Sequence, residues 1–438
     1  MELCRESARD LQSSSNLLLA MLAAPALEPH LARPLSSRRA RLRMSSSPEA
    51  GSFELELFSP ARLSLFLRVQ PRADGLHDVA RLSQAVDLGD RLQLARIPNS
   101  PSQAAGVVRP SRKTDPIKQH VEFSATPVGL PGLPTDETNS VVRALALYRT
   151  RLAQRDGGSL AVPRFRAHLA KTLPIDAGLG GAASNAAAAL VGANELCGGR
   201  ASAEELREWA IDGLGGLGTD VASLLLPGGL GLVTGRSVFL RGDAVAPVPA
   251  PLAQPAAGSL LVVAPEVTLS TPALFRDLAA ARQAGLAARL AAGPPGAADA
   301  QGVPGAAAPN AAAPEGAAPE ALLRALQAGA GGDNGAGGGK QRLPAAGALY
   351  VNDLHAAALR SCPEVAAVAT RLREDEGFDV VSLSGAGPAL FALGRPARGE
   401  EDEAFAARVA AECEAATGVR VRAWTARFVE GPRVVRDS

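Results

Sequence analysis

Apolar positions along the chain switch between two spacings, and the switches lay out its elements. Leu63–Val69 is a compact apolar run of the kind that buried strands carry. Gln84–Leu94 (QAVDLGDRLQL) reads as a strand, a Gly-Asp turn and a second strand. Thr138–Ala153 places apolar residues at helical spacing. Phe165–Leu169 alternates and leads into a Gly-rich turn over Leu173–Gly181. Ala182–Leu196 then fills a helix interior with Ala, Leu and Val. Leu260–Pro265 and Val380–Leu383 predict buried strands. Sheet and helix mixed in this way predict an α+β fold in two lobes.

Two stretches fall outside that pattern. Residues 291–347 are dominated by Ala, Gly and Pro, which bury too little apolar surface to offset their ordering entropy. They read as an insertion that acts as a spacer, interrupted by Pro319–Gln327 (PEALLRALQ), whose helical spacing predicts a packed turn or two. Residues 1–52 are the second stretch. Pro29–Pro48 has five arginines, many serines and no acid, the composition of an organelle transit peptide. Leu17–Leu27 is apolar enough for a secretory core, but the segment before it lacks the required positive charge. Glu2, Glu6 and Asp10 fit a transit peptide poorly, and a plain tail is the other reading.

Charge and cysteine content narrow the function. The 438 residues carry 45 Lys+Arg against 44 Asp+Glu, so the chain as a whole offers no electrostatic footprint for nucleic acid or an anionic membrane. No apolar stretch reaches the length of a membrane span. Cys4, Cys197, Cys362 and Cys413 lack metal-ligand or redox spacing, which points to a reducing compartment. Lysine occurs only at 113, 118, 171 and 340, so almost all positive charge is arginine.

The chemistry concentrates at Lys171–Ala189 (KTLPIDAGLGGAASNAAAA). A strand-like segment ends at Pro174, Gly178, Gly180 and Gly181 follow, and a helix is expected to start near Ala183 or Ser184. Glycines let a ligand approach the backbone, and a helix start offers unpaired N–H groups and the positive end of its dipole. Together they suit a phosphate chain. Ser184 and Asn185 stand where a hydroxyl and an amide reach a phosphate or its Mg²⁺. The segment lacks the Gly-Lys-Ser/Thr of a P-loop and the third glycine of a dinucleotide fingerprint. A plain tight turn is the competing reading.

The pattern P-x-x-x-GLGG-x-x-S-N resembles the ATP loop of the GHMP small-molecule kinases. Other segments narrow the resemblance to the 4-diphosphocytidyl-2-C-methyl-D-erythritol kinase family, especially its plastid type. They are SPARLSLFLRV at Ser59–Val69 with RADGLH at Arg72–His77 and DLGD at Asp87–Asp90, LGTDV at Leu217–Val221, STPALFRD at Ser270–Asp277, YVNDL at Tyr350–Leu354, and LSGAGPALF at Leu383–Phe391. The resemblance implies a ribosomal-S5-like ATP-binding domain over 53–245 and a ferredoxin-like domain over 256–430. It implies transfer of the γ-phosphoryl of ATP, with Mg²⁺, to the 2-hydroxyl of the cytidylyl-methylerythritol substrate, in the plastid stroma after import through the N-terminal segment. Small molecules, rather than nucleic acid or a membrane, are then its partners.

Site roles follow from the same resemblance. Asp220 matches the aspartate that orients the acceptor hydroxyl and takes its proton, and Arg62 stands where the family has a lysine. Gly178, Gly180, Gly181, Ser184 and Asn185 would hold the triphosphate, with Ser184 near Mg²⁺, and Asn139 and Lys171 would lie near the adenosine. Ser64, His77, Phe275, Ser384, Gly385 and Gly387 would face the acceptor, with His77 on the cytosine edge and Phe275 stacked on the base. Asp90 reads as a turn residue. Several positions depart from the family: Arg62 for lysine, Ser64 for asparagine, Leu76 for an aromatic, Asp176 for glycine, Ala182 and Ala183 for Gly and Ser, and Pro388 and Ala389 in the last motif. An active but divergent kinase, a catalytically impaired relative with a binding role, and a kinase for another alcohol are the three readings that remain.

Overall fold

A computed structural model describes residues 52–71, 77–97, 121–126, 130–157, 162–212, 216–237, 244–247, 255, 259–292, 319, 321, 322, 324, 349–394 and 400–435. The expected transit peptide, most of the insertion and the departure at Leu76 therefore lie outside the described residues. Within the insertion, Pro319, Ala321, Leu322 and Arg324 are helical and Leu322 is buried, as the apolar spacing there predicts.

The first sheet is built on two long antiparallel strands, β1 (Leu55–Pro71) and β2 (His77–Ile97). The far edge of β2 serves two partners. Its second half pairs with β4 (Arg164–Ala170), which is parallel to β3 (Val121–Thr126). Its first half pairs with β5 (Leu230–Ser237), which continues to β6 (Ala244–Pro247). Helices α1 (Ser140–Arg155), α2 (Gly181–Leu196), α3 (Ala203–Ile211) and α4 (Thr219–Leu224) pack with this sheet through a core that joins Leu57, Leu92, Leu94, Phe165 and the alanines of α2. Those alanines need no side-chain entropy to bury, so α2 approaches the sheet closely.

The second sheet follows the chain order β7 (Leu260–Pro265), α5 (Thr271–Ala292), α6 (His355–Ser361), α7 (Pro363–Glu374), β8 (Val380–Leu383), β9 (Leu390–Leu393), α8 (Asp402–Thr417), β10 (Val421–Thr425). Its spatial order is β10-β7-β9-β8, all antiparallel, which is the ferredoxin-like arrangement. β7, β8 and β9 are buried along their whole length, as expected for β7 and β8. The chain then returns to the first sheet, where β11 (Arg433–Val434) pairs with β1 beyond the expected boundary at 430. Leu55–Ser438 cluster as one unit, so the expected division at 245–256 separates two sheets inside that unit.

One expectation fails in an informative way. Residues 84–94 are a stretch of a single strand, with no turn at Gly89-Asp90. The register against β1 shifts there instead, between Pro60 and Ala61. A Cβ on Gly89 would lie 2.3 Å from the Ser59 carbonyl, so glycine marks a bulge where two backbones press together. The strand continues because Leu92 and Leu94 still have a core to enter.

Candidate active site

The glycine turn has the backbone the sequence implies. Gly178 and Gly180 sit at φ of +78° and +66°, and Gly180 caps α2, which starts at Gly181, two or three residues earlier than expected. Gly178 has a second reason to be glycine. A Cβ there would lie 2.2 Å from the Ser384 carbonyl. Ser384 Oγ donates to the Gly178 carbonyl at 2.9 Å, and the Ala389 N–H donates to the Ala177 carbonyl at 3.0 Å. The turn is thus clasped against the glycine motif of the second sheet, and the departures at Pro388 and Ala389 leave that clasp intact. Asp176, at φ of +53°, is exposed.

Two cations flank the turn. A Cβ on Gly180 would meet Arg62 Nε at 3.1 Å, and one on Gly181 would meet Lys171 Nζ at 2.9 Å. The Arg62 N–H also donates to the Leu179 carbonyl at 2.8 Å. A helix start with unpaired N–H groups, bordered by an arginine and a lysine, is a cradle for a phosphate chain.

Lys171 is held by the residue the sequence reading placed in a turn. Asp90 is completely buried. Its Oδ2 lies 2.6 Å from Lys171 Nζ and accepts from Asn185 Nδ2 at 2.9 Å, and its Oδ1 accepts the N–H groups of Thr172 and Leu173 at 2.8 and 2.9 Å. Asn185 also donates to Ser59 Oγ at 2.9 Å, which in turn donates to Ser184 Oγ at 2.8 Å. Ser184 is fully enclosed. The metal role implied for it is not supported by this placement, because its oxygen faces Ser59 inside the fold. Among the described residues no group of three or more His, Cys, Asp or Glu side chains is arranged to hold an ion.

Asp220 opens the short helix α4. Arg62 reaches it end-on, with Nη1 at 3.0 Å from Oδ1 and Nη2 donating to Oδ2 at 3.2 Å. Arg81, near the start of β2, also donates to Oδ1. Arg81 is the largest of the fully buried side chains, and nothing in the sequence marked it. Its neighbours in the pattern are apolar or small, and only the pairing of β2 with β1 reveals that it shares a face with Arg62. Burial alone would raise the Asp220 pKa, but the two guanidinium groups overcome this and hold the carboxyl well below the usual range. Burial, and then the charge of Arg62, bring Arg81 down to about 10, so it stays charged at neutral pH. The Asp220 side chain is 28 % exposed, which leaves the carboxylate one open side.

Other expected residues are placed as follows. Asn139 caps α1: its Oδ1 accepts from the Val141 N–H at 2.9 Å and its Nδ2 donates to the Pro134 carbonyl at 2.7 Å. Both of its polar groups therefore serve the fold. Ser64 is buried beside Ser384, whose Oγ accepts the Ser64 N–H at 3.3 Å. Gly385 and Gly387 adopt φ of +59° and +71° in the clasping turn. Phe275, on α5, meets the His77 ring edge-on at 4.8 Å between centroids. Phe275 is only 4 % exposed, so its face is largely occupied by the protein itself. Burial, and then Arg282, lower the His77 pKa. Asp353 accepts the Val69 N–H at 2.8 Å and pairs with Arg282 at 2.7 Å, which ties α5 to the end of β1.

This geometry can be set beside known proteins. The family of GHMP kinases, N terminal domain, matches residues 139–228. A 4-diphosphocytidyl-2-C-methyl-D-erythritol kinase of Salinispora arenicola is 33 % identical over 389 residues, which is 88 % of this chain and 95 % of that protein. The chain belongs to the GHMP kinase family. The chloroplastic/chromoplastic 4-diphosphocytidyl-2-C-methyl-D-erythritol kinase of Solanum lycopersicum is 32 % identical over 229 residues, and the match spans about half the length of either protein (52 % and 47 %). The crystal structure of a 4-(cytidine 5'-diphospho)-2C-methyl-D-erythritol kinase superposes with a TM-score of 0.50 at 23 % identity, covering 86 % of this chain and all of that one. A homoserine kinase of Cytophaga hutchinsonii superposes equally well, at 0.50 and 18 % identity. The fold is therefore the two-sheet α+β fold of GHMP kinases, and its likeness to both structures leaves the acceptor alcohol to be argued from the site. No described helix is long and apolar enough to cross a membrane.

Proposed function

We propose that this chain phosphorylates the 2-hydroxyl of 4-diphosphocytidyl-2-C-methyl-D-erythritol with ATP, as a plastid enzyme of the non-mevalonate isoprenoid route. The observation that carries the proposal is the position of Arg62, whose guanidinium fills the space a side chain on Gly180 would take and reaches Asp220. Phosphoryl transfer asks for positioning and charge compensation. The glycine turn, Arg62 and Lys171 supply charge for the triphosphate, and Asp220 accepts a hydrogen bond from the acceptor hydroxyl. The acceptor oxygen bonds to the γ-phosphorus while the bond to the bridging oxygen breaks and ADP takes its electron pair. With so low a pKa, Asp220 takes the hydroxyl proton late, once the forming bond has made it acidic. Mg²⁺ would arrive on the nucleotide's own phosphates and supply charge to the group in transfer.

The activity of the relatives supports this acceptor. The test incubates the full chain with Mg·ATP and the cytidylyl acceptor. ADP release that depends on the acceptor and vanishes in Asp220→Ala supports the reading. A second reading, nucleotide binding without turnover, draws on the two guanidinium groups that occupy Asp220. ATP binding with no ADP release would favour it, and a preference for homoserine or mevalonate would move the acceptor.

A further inference from the structure

We propose that Arg81 is a positioning residue of this kinase site, gripping Asp220 opposite Arg62 so that the carboxylate stays fixed and ionised while Arg62 keeps its edge against the glycine turn. The inference rests on the functional reading above and adds a residue to it. A fully buried guanidinium is costly unless a partner compensates it, and two beside one carboxylate repel each other. Arg62 alone already neutralises Asp220. Arg81 therefore adds a positive charge that the three groups do not balance among themselves.

The neighbourhood is built to receive an anion there. Arg62, Ser64, Arg81 and Ser83 lie on one face of the β1–β2 pair, because Arg62 is opposite Ala85 and Ser64 is opposite Ser83. All four are buried. Arg62 Nε and the hydroxyls of Ser64, Ser83 and Thr219 have no hydrogen-bond partner among the described residues. Unsatisfied donors are rare in buried sites and are expected where a ligand completes them. The charged side chains bearing on Asp220 are Arg62 from β1 and Arg81 from β2. α2 and α3 meet α4 through an apolar cluster that includes Ala187, Leu206, Ala210 and Val221. Arg81 thus holds one oxygen of the carboxylate, and Arg62 spans both while facing the phosphate cradle.

The experiment uses the full chain with ¹³C-carboxyl aspartate, the Asp220 signal being the one lost in Asp220→Asn. In the wild type this signal stays ionised through the acid range in which the protein is folded. In Arg81→Met its midpoint is expected to climb towards the ordinary aspartate value of about 4. Arg81→Gln, which keeps a donor and loses the charge, gives the same reading if the Met variant does not fold, and Arg81→Lys restores the low midpoint. In turnover, both neutral variants lower kcat at least tenfold with KM for ATP within threefold, and Arg81→Lys recovers most of the rate. An unchanged Asp220 midpoint in the neutral variants, or a loss of thermal stability with kcat intact, overturns the assignment. A wild type that never releases ADP, yet shows the midpoint shift, removes the acceptor reading and leaves Arg81's grip standing.

Discussion

Asp90 and Lys171 form a 2.6 Å ion pair whose carboxylate is completely enclosed. The pair joins the bulge of β2 to the residues that enter the glycine turn, because Asp90 also takes the N–H groups of Thr172 and Leu173. Asp90→Ala leaves the lysine, two amides and Asn185 without their acceptor. Loss of one partner of a buried pair costs about 3–5 kcal/mol. Denaturant unfolding is expected to show a drop of that order, and titration with ATP a weaker affinity than in the wild type.

Asp220→Asn keeps the shape of the side chain and removes its charge. Arg62 and Arg81 then repel without an anion between them. We expect kcat to fall by about 10²–10⁴, the usual span for removing a group that handles a proton. Arg62→Lys gives up one arm of the two-armed contact, and a lost charged hydrogen bond of about 1.5–3 kcal/mol predicts a roughly tenfold or larger drop in kcat. Steady-state ADP release measures both. A rate that rises in Arg62→Lys would mean that arginine here is drift from the family's lysine, and that the two-armed grip is incidental.

The fold was largely legible in the apolar pattern, and the site only in part. Runs such as Leu260–Pro265 and Val380–Leu383 are buried on both faces, so hydrophobicity alone identifies them. The Gly178–Gly181 turn is legible because bare backbone before a helix has few other uses. Arg81 and Asp90 were not legible. Each is a lone charge whose meaning depends on a partner far along the chain, Asp220 in one case and Lys171 in the other. Strand register brings those partners together, and register is a property of the assembled sheet. Asn139 and Ser184 are read differently again: residue types that suit a ligand also serve a helix cap and an interior hydroxyl pair.

His355 makes stability depend on pH. Burial first, and then Arg373, bring its pKa down to about 4 from 6.5. It therefore stays neutral in the folded protein and takes a proton more readily when unfolded. Its contribution is present above pH 6.5 and is lost as pH falls towards 4. From this group alone the protein is expected to be about 2 kcal/mol less stable at pH 5 than at pH 7. Urea unfolding at the two values checks this, and His355→Gln should flatten the difference. An equal slope in that variant would assign the effect elsewhere, with His77 the next candidate.

Ser384→Ala removes the hydroxyl that donates to the Gly178 carbonyl and accepts the Ser64 N–H. A cost of about 1 kcal/mol per hydrogen bond predicts a small loss of stability. The larger effect is expected on KM for ATP, which should rise severalfold as the turn loosens while kcat changes less. Gly178→Ala is expected to be far more severe, since its methyl group would enter the Ser384 backbone.

That last contact has a consequence for how the molecule is divided. The glycine turn is not portable: it is braced by residues some two hundred positions downstream. A fragment ending before Leu349 would keep every glycine of the segment and lose the surface that shapes it. The two parts must therefore stay on one polypeptide, or reassemble as a pair, for the turn to keep its shape.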